Sequence, residues 1–556
     1  MKEKMLIYQV LPRLFGNTNT TNKECGTILE NGCGKLSAFD EKTLANIRKM
    51  GFSHIWYTGL IRHSSQTDYS AYGIPTCHPA VVKGKAGSPY SITDYYDIDP
   101  DLADDVNARM LEFENLVRRT HAAKLKVIID FVPNHVARQY YSIAKPKGVK
   151  DFGEDDDTRK TFDPQNNFYY CPNETFAPYF DMKAGSEITY FENPAKATGN
   201  DCFHAHPGVN DWYETVKLNY GVDYFNGRNN CFYPIPDTWN KMTAILLFWA
   251  AKGVDAFRCD MAEMVPVDFW HYAISTIKDA YPDIKFIGEV YNPSLYRNYI
   301  GWGGFDYLYD KVGIYDTLRN VICGYAPASA ITNAWQQCDD INQHMLFFLE
   351  NHDEQRIASR FFAGEAKRAL PGLIVSTLLR DNPFMMYMGQ SLGEKAEYKE
   401  GFSGDDGRTT IFDYWGLDSI CRLRSKRLTY DEKSLHAIYN KVLQFARKDK
   451  VVADGQFFDL MYVNPTSEKF NQNKQYVFLR KKARELLLVC ANFDDKDVNV
   501  EVMIPEHAFT TLAIKEGTFN GEEIFTKEQK TFELEKDNSV ELTVPANFAA
   551  VWKITL

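Results

Sequence analysis

Short apolar runs alternate with stretches of helical periodicity along most of this chain, and nothing else in it restricts the fold as tightly. Residues 6–11 read as a strand, and residues 40–50 then carry Leu44, Ile47 and Met50 at helical spacing before Gly51. The succession recurs as a strand at 54–58, a helix at 107–125 with Met110, Phe113, Leu116 and Val117 on one face, and a strand at 126–132. It continues as helix 241–251, strand 254–258, helix 266–280 and strand 284–289, with further strand signals at 305–309, 345–349 and 383–388. This alternation predicts a parallel sheet, and about eight strands in series favour a closed (β/α)8 barrel over an open doubly wound sheet.

Two regions break the rhythm. From about residue 137 to 227 the chain is rich in Asp, Asn, Pro and aromatics and carries no long amphipathic helix before Asp211, which predicts a small inserted domain. Beyond a last helix at 434–447 the pattern turns to alternating β runs at 457–463, 476–479, 485–491, 498–503, 539–544 and 549–554, as in a C-terminal antiparallel β-sandwich. The expected organisation is a barrel over 1–136 and 216–448, an insertion over 137–215 after the third strand, and a sandwich over 449–556. A chain of 556 residues exceeds the roughly 250–300 that one hydrophobic core organises, so several units are required.

Composition narrows the partners. A net charge of -11 argues against a broad phosphate-binding surface, so no nucleic-acid partner is expected. The 11 cysteines are odd in number and lack close metal-type pairs, so they read as free thiols. The apolar stretch near the N-terminus is short, interrupted by Gln9 and closed by Pro12, unlike a secretory leader. No run approaches the ~18–20 apolar residues of a membrane span. A cytoplasmic protein without a membrane partner is the expectation; oligomeric state is left open.

Four apolar runs end on acids: Asp130 after Ile129, Asp260 just past Arg258, Glu289 after Gly288, and His352-Asp353 after the run closing at Leu349. In a parallel barrel, the C-terminal strand ends share one open face, so acids far apart in sequence meet there. Two acids flanking a glycosidic bond suffice for hydrolysis, one protonating the leaving oxygen and the other attacking the anomeric carbon or activating water. Arg258 lies two residues before Asp260, on the same side of a strand, and is expected to keep that aspartate ionised as a nucleophile. Glu289 must instead be protonated to act as an acid, and Asp353 is the candidate like charge that raises its pKa.

The segments "DFVPNH" at Asp130 to His135, "GVDAFRCD" at Gly253 to Asp260, "GEV" at Gly288 to Val290 and "ENHD" at Glu350 to Asp353 resemble the four signature regions of the α-amylase family, glycoside hydrolase family 13. "KLN" at Lys217 to Asn219 is similar to its fifth region, and "SPYSITDYYDIDP" from Ser88 to the loop after its second strand. The resemblance implies a TIM barrel with domains B and C at the predicted insertion and sandwich. It also implies roles: Asp260 as nucleophile, Glu289 as general acid/base, and Asp353 as the third carboxylate, which holds hydroxyls of the cleaved sugar. Arg258 corresponds to the nucleophile's partner, His135 and His352 to histidines bonding that sugar, and Tyr90 to the aromatic platform beneath it; Asp130 and Asn134 shape the site.

The expected activity is that of a retaining glycosidase acting on α-glucans or maltooligosaccharides, with no cofactor required for the chemistry. The alternatives are an α-glucan transglycosylase or α-1,6-acting glucosidase using the same site, and a noncatalytic glucan-binding protein. One departure bears on this. Many α-amylases carry Lys-His at the third and fourth positions after the nucleophile; here these are Glu263 and Met264, which opens a preference for short oligosaccharides or for transfer. The change also alters a contributor to the usual structural calcium site, for which Asn134 stands as a candidate ligand. The acidic run Glu154 to Asp157 reads as a solvated loop, and His204-Ala205-His206 as a loop pair without metal.

Overall fold

The structure, a computed structural model, describes residues 3–556. Eight parallel strands close into a barrel: β1 Leu6–Val10, β2 His54–Tyr57, β3 Lys126–Phe131, β4 Ala256–Cys259, β5 Lys285–Gly288, β6 Tyr307–Tyr309, β7 Met345–Phe348 and β8 Phe384–Tyr387. They neighbour one another in sequence order, and β1 closes the ring against β8 through Leu6 opposite Phe384. Between and after them run the main helices: α1 Glu41–Met50, α2 Arg109–Ala122, α3 Asp237–Ala251, α4 Val267–Ala280, α5 Tyr296–Gly301, α6 Asp316–Cys323, α7 Leu370–Leu378 and α8 Tyr430–Lys448. Local signals set their ends. Asp40 caps α1 by accepting from the Thr43 N–H at 2.7 Å, Gly51 ends it in the left-handed conformation at φ 115°, and Thr429 with Glu432 forms a capping box on α8.

Period-two alternation divides each strand between two cores. Ile7, Trp56, Ile128, Ala256, Ile287, Tyr309, Leu346 and Met385 fill the barrel interior. Their chain neighbours, such as Tyr8, Val127, Ile129, Phe257 and Phe286, pack outward against the helices, among them Trp249 of α3 and Trp270 of α4. Each such fully buried side chain contributes about 1.5–3 kcal/mol. The parity aims the next residues of the inward set, Asp130, Arg258, Asp260 and Glu289, at the barrel mouth.

Between β3 and α3 the chain forms an irregular lobe without an α-helix. It is built on short antiparallel pairs, His135–Ala137 with Thr215–Lys217 and Tyr170–Cys171 with Ala195–Lys196. Phe176, Ala195, Ala205 and Tyr213 form its small core with Val81.

The C-terminal part holds eight strands: β9 Gln456–Asp459, β10 Gln475–Lys482, β11 Glu485–Asn492, β12 Val498–Ile504, β13 Gly517–Glu523, β14 Gln529–Leu534, β15 Asn538–Val544 and β16 Phe548–Thr555. A six-stranded antiparallel sheet in the order β9-β10-β11-β16-β13-β14 accompanies the pair β12-β15. The sequence pattern predicts neither β13 nor β14, and the run 457–463 is a strand only to Asp459, followed by a 3-10 turn at Met461–Val463. No helix among the described residues is long and apolar enough to cross a membrane.

Candidate active site

The barrel ladder carries the acids together. Arg258 stands opposite Asp130 across the β3–β4 pair, the Asp260 N–H donates to the Phe131 carbonyl at 2.9 Å, and the Glu289 N–H donates to the Cys259 carbonyl at 3.1 Å. These residues therefore gather at the C-terminal ends of three adjacent strands. The Arg258 guanidinium, only 1% exposed, joins them: its Nη1 lies 2.8 Å from Asp260 Oδ1 and 3.5 Å from Asp130 Oδ1, and its Nη2 2.7 Å from Glu289 Oε2. Its Nε donates to the Tyr309 hydroxyl at 3.2 Å, and the rings of Trp56 and Tyr90 lie 5.2 and 5.3 Å from its charge centre.

Glu289 is held from two further directions. The Met261 N–H donates to Oε2 at 2.8 Å and the Tyr291 hydroxyl to Oε1 at 2.5 Å. Met261, directly after Asp260, has φ 43°, a left-handed conformation that costs a non-glycine residue about 1 kcal/mol or more. The strained turn points its N–H at Glu289. Glu263 fastens the same wall, its Oε2 accepting from the N–H groups of Tyr291 and Asn292, both at 2.9 Å.

His352 forms the floor. Its Nδ1 lies 2.7 Å from Gln9 Nε2, which can only donate, so Nε2 carries the ring proton and faces the Tyr90 hydroxyl at 2.5 Å and Asp353 Oδ2 at 3.0 Å. The Tyr90 ring stacks on His352 with centroids 5.3 Å apart. Across the cleft, His135 packs on Trp212 of the irregular lobe at 5.2 Å. A cavity of about 510 Å³ is lined by Tyr90, His135, Asp260, Glu289, Tyr291 and Asp353, among others. Lys83 and Glu214, paired at 3.0 Å, also line it. The cavity size suits an oligosaccharide of a few units or another small ligand.

Charges in the cleft do not distribute as the sequence suggests. Burial is the main cause that pushes Asp260 well above the carboxylate range; Arg258 opposes it, while Glu289, Asp353 and Asp130 reinforce it. Burial, reinforced by three neighbouring carboxylates, thus outweighs the arginine that was expected to keep Asp260 ionised. Burial raises Asp130 to about 6 against Arg258, and Asp353 to about 7, with Glu289 reinforcing. Asp353 is 41% exposed to the open cavity, where solvent screens that shift until a ligand covers it. Burial lowers His135 to about 3 and His352 well below its ordinary value, so both bind as neutral imidazoles.

The sequence-predicted residues Tyr90, His135, Arg258, Asp260, Glu289, His352 and Asp353 therefore meet in one cleft; Asn134 sits behind His135, away from the cavity. Sequence reasoning missed Gln9, Tyr291, Tyr309, Lys83, Trp212 and Glu214. The first three continue the inward parity of β1, β5 and β6 and were within reach of it. The others come from loops whose course no local pattern sets.

The family model of the α-amylase catalytic domain matches residues 9–451, and that of the α-amylase C-terminal all-beta domain matches residues 466–555. The chain belongs to the α-amylase family. It is 25% identical over 389 residues to Alpha-amylase 3 of Dictyoglomus thermophilum, covering 66% of this chain and 68% of the relative. It is 23% identical over 572 residues to a cyclomaltodextrin glucanotransferase of Bacillus licheniformis, covering 99% of this chain and 66% of the relative. The human amino acid transporter heavy chain SLC3A1 is 24% identical over 318 residues, covering 56% of this chain and 35% of the relative. Among solved structures, the noncanonic maltogenic α-amylase AmyB of Thermotoga neapolitana superposes with a TM-score of 0.64 at 19% identity, over 99% of each chain.

Membership implies a structural calcium ion near Asn134, and the residues there do not fit one. Asn134 Oδ1 accepts from Lys217 Nζ at 2.5 Å, and the same ammonium lies 2.7 Å from Asp201 Oδ1 and 3.4 Å from the Met264 carbonyl. A lysine nitrogen stands among the oxygens a metal would need, so no step below involves one. Elsewhere, Asp155 and Asp157 pair with Lys150 and Arg159, and His206 bonds the Ala177 carbonyl while His204 faces Cys202. Among the described residues no group of three or more His, Cys, Asp or Glu is arranged to hold a metal ion.

Proposed function

We propose that the chain is a retaining glycosidase of α-glucans or maltooligosaccharides, working through a covalent glycosyl-enzyme. The observation that carries this reading is the sharing of one buried guanidinium by Asp260 and Glu289. One guanidinium in contact with both acids holds them near each other, as the roughly 5–5.5 Å separation of retaining enzymes requires. In its ionised form, which Arg258 favours against burial, Asp260 attacks the anomeric carbon while Glu289 gives its proton to the departing glycosidic oxygen. Glu289 then takes a proton from water, which attacks the anomeric carbon and frees Asp260. Asp353, His352 and His135 hold hydroxyls of the cleaved sugar over Tyr90, and the cluster's negative charge stabilises the positive charge that develops on the ring. Both Glu289 oxygens are acceptors, Oε2 from the Met261 N–H and Oε1 from the Tyr291 hydroxyl, and Oε1 keeps a second lone pair for the proton it exchanges with the glycosidic oxygen.

A second reading, transfer to another sugar, is favoured by the apolar part of the cavity lining, where Met261, Tyr291, Val312 and Phe412 offer surface to an acceptor ring. The cyclomaltodextrin glucanotransferase likeness runs the same way. Likeness to a transporter heavy chain keeps a noncatalytic reading in view, against which the complete acid trio speaks. All 11 cysteines are free thiols, which fits a reducing, cytoplasmic compartment.

Incubation with maltotriose, pullulan and isomaltose, followed by chromatography and by NMR of the first-formed anomer, tests all three readings. Glucose and maltose released as the α-anomer support hydrolysis with retention, and longer oligomers support transfer. A β-anomer would refute the mechanism, and an absence of products would leave the noncatalytic reading.

A further inference from the structure

We infer that Lys217 is a cation built into the chain where its relatives' fold calls for calcium, and that its ammonium ties the irregular lobe to the loop that follows Asp260. The three oxygens around Nζ belong to three segments. Asn134 follows β3, Asp201 belongs to the lobe, and Met264 closes the 3-10 turn Ala262–Met264 just past Asp260. An ammonium has three donors; this one bonds Asn134 Oδ1 and the Met264 carbonyl and pairs with the Asp201 carboxylate, whereas calcium takes 6–8 oxygens at about 2.3–2.6 Å.

The surroundings fix this arrangement. Asn134 Nδ2 donates to the Gly199 carbonyl at 2.7 Å, which orients the amide so that Oδ1 faces the lysine. Lys217 is 2% exposed and stands opposite His135 in the short antiparallel pair, and its own N–H donates to the Ala197 carbonyl at 2.9 Å. The ring of Tyr224 covers the ammonium at 5.8 Å. A free cation would have to displace a side chain anchored on both sides and meet its like charge. A lone buried ammonium would be costly, and Asp201 supplies the compensating charge. Lys217 thus acts as a positioning residue for His135 and for the Asp260 turn. The inference does not depend on what the cleft turns over, because its readouts are stability and local exchange.

The test compares the full-length protein in chelator and in millimolar calcium, then the variants. The wild type is expected to bind no stoichiometric calcium in equilibrium dialysis and to shift its Tm by less than about 1 °C between the two conditions, where a saturated structural ion would shift it by several degrees. Lys217→Met is expected to lower Tm by several degrees and to speed amide exchange over 134–136, 198–218 and 261–264, with no recovery in calcium. One equivalent of bound calcium with a chelator-sensitive Tm would overturn the inference, as would a Lys217→Met protein with wild-type Tm and exchange. If Lys217→Met gives no folded protein, Asp201→Asn reads the same contact: a lowered Tm supports it and an unchanged one overturns it.

Discussion

Two arginines, Arg258 at the barrel mouth and Arg480 between the barrel and the C-terminal sheet, are equally buried at 1% exposure and meet opposite surroundings. Arg258 faces carboxylates. Burial works to lower its pKa, yet Glu289, Tyr309, Tyr90 and Asp260 carry it well above the ordinary value. Arg480 faces backbone carbonyls: Nη1 donates to Leu378 at the end of α7 at 2.9 Å, and Nη2 to Gly455 at 2.8 Å and to Val452 at 3.2 Å. Burial there wins, and its pKa falls to about 10. The same side chain is thus an electrostatic organiser in one region and a structural tie in the other. Around Arg258 the negative groups remain in excess and chemically available. Around Arg480 each guanidinium nitrogen bonds a carbonyl that a helix end or a turn leaves behind.

Breaking the first arrangement should have the largest consequence. Arg258→Met removes the cation shared by Asp130, Asp260 and Glu289, and kcat on maltotriose is expected to fall about 10³-fold, the scale of a lost preorganised electrostatic partner. Activity within tenfold of wild type would show that the guanidinium is structural, like Arg480. The mirror experiment is Arg480→Met, expected to leave kcat unchanged and to cost about 2–3 kcal/mol through unpaired carbonyls, read as a lowered calorimetric Tm. A fall in kcat at unchanged Tm would abolish the distinction.

The contrast also explains what was legible in the sequence. Asp130, Arg258, Asp260 and Glu289 follow from local rules, since strand parity and the C-terminal ends of apolar runs put them on one face without knowledge of the rest. Arg480 carries no such mark, because its partners are carbonyls of Leu378, Val452 and Gly455, which no residue type announces. Trp212 and Glu214 reach the cleft only because the irregular lobe folds back through contacts of no fixed period. Strands β13 and β14 escaped because their buried positions are few among exposed polar ones. The charge state of Asp260 departs from the sequence expectation for a quantitative reason: one arginine is visible two residues away, whereas burial and the three opposing carboxylates appear only once the barrel closes.

A finer cut separates Tyr291 from the charges it neighbours. Its hydroxyl is a neutral donor to Glu289 Oε1, so Tyr291→Phe should lower kcat by about tenfold, the value of one hydrogen bond to a charged group, while KM and Tm stay near wild type. Loss expressed in KM instead would place the ring, rather than the hydroxyl, at work on the substrate.

The smallest expected effect tests the excess of negative charge itself. Asp130→Asn keeps the shape next to Arg258 but removes one of the carboxylates that raise Asp260. Asp260 then ionises at lower pH, so the acidic limb of the kcat/KM profile should move down by about half a unit to one unit. Stability supplies an independent sign. The carboxyl of Asp130 titrates at about 6 when folded, against an ordinary 3.8, so its contribution is complete below that ordinary value and is lost as pH rises through about 6. The amide of the Asp130→Asn variant does not titrate and has no such loss, and the Tm of the variant relative to wild type should therefore climb between pH 4 and 7. A flat difference, with an unmoved acidic limb, would mean that Arg258 fully neutralises Asp130 and that the mouth of the barrel holds no more spare charge than the arginine at the sheet junction.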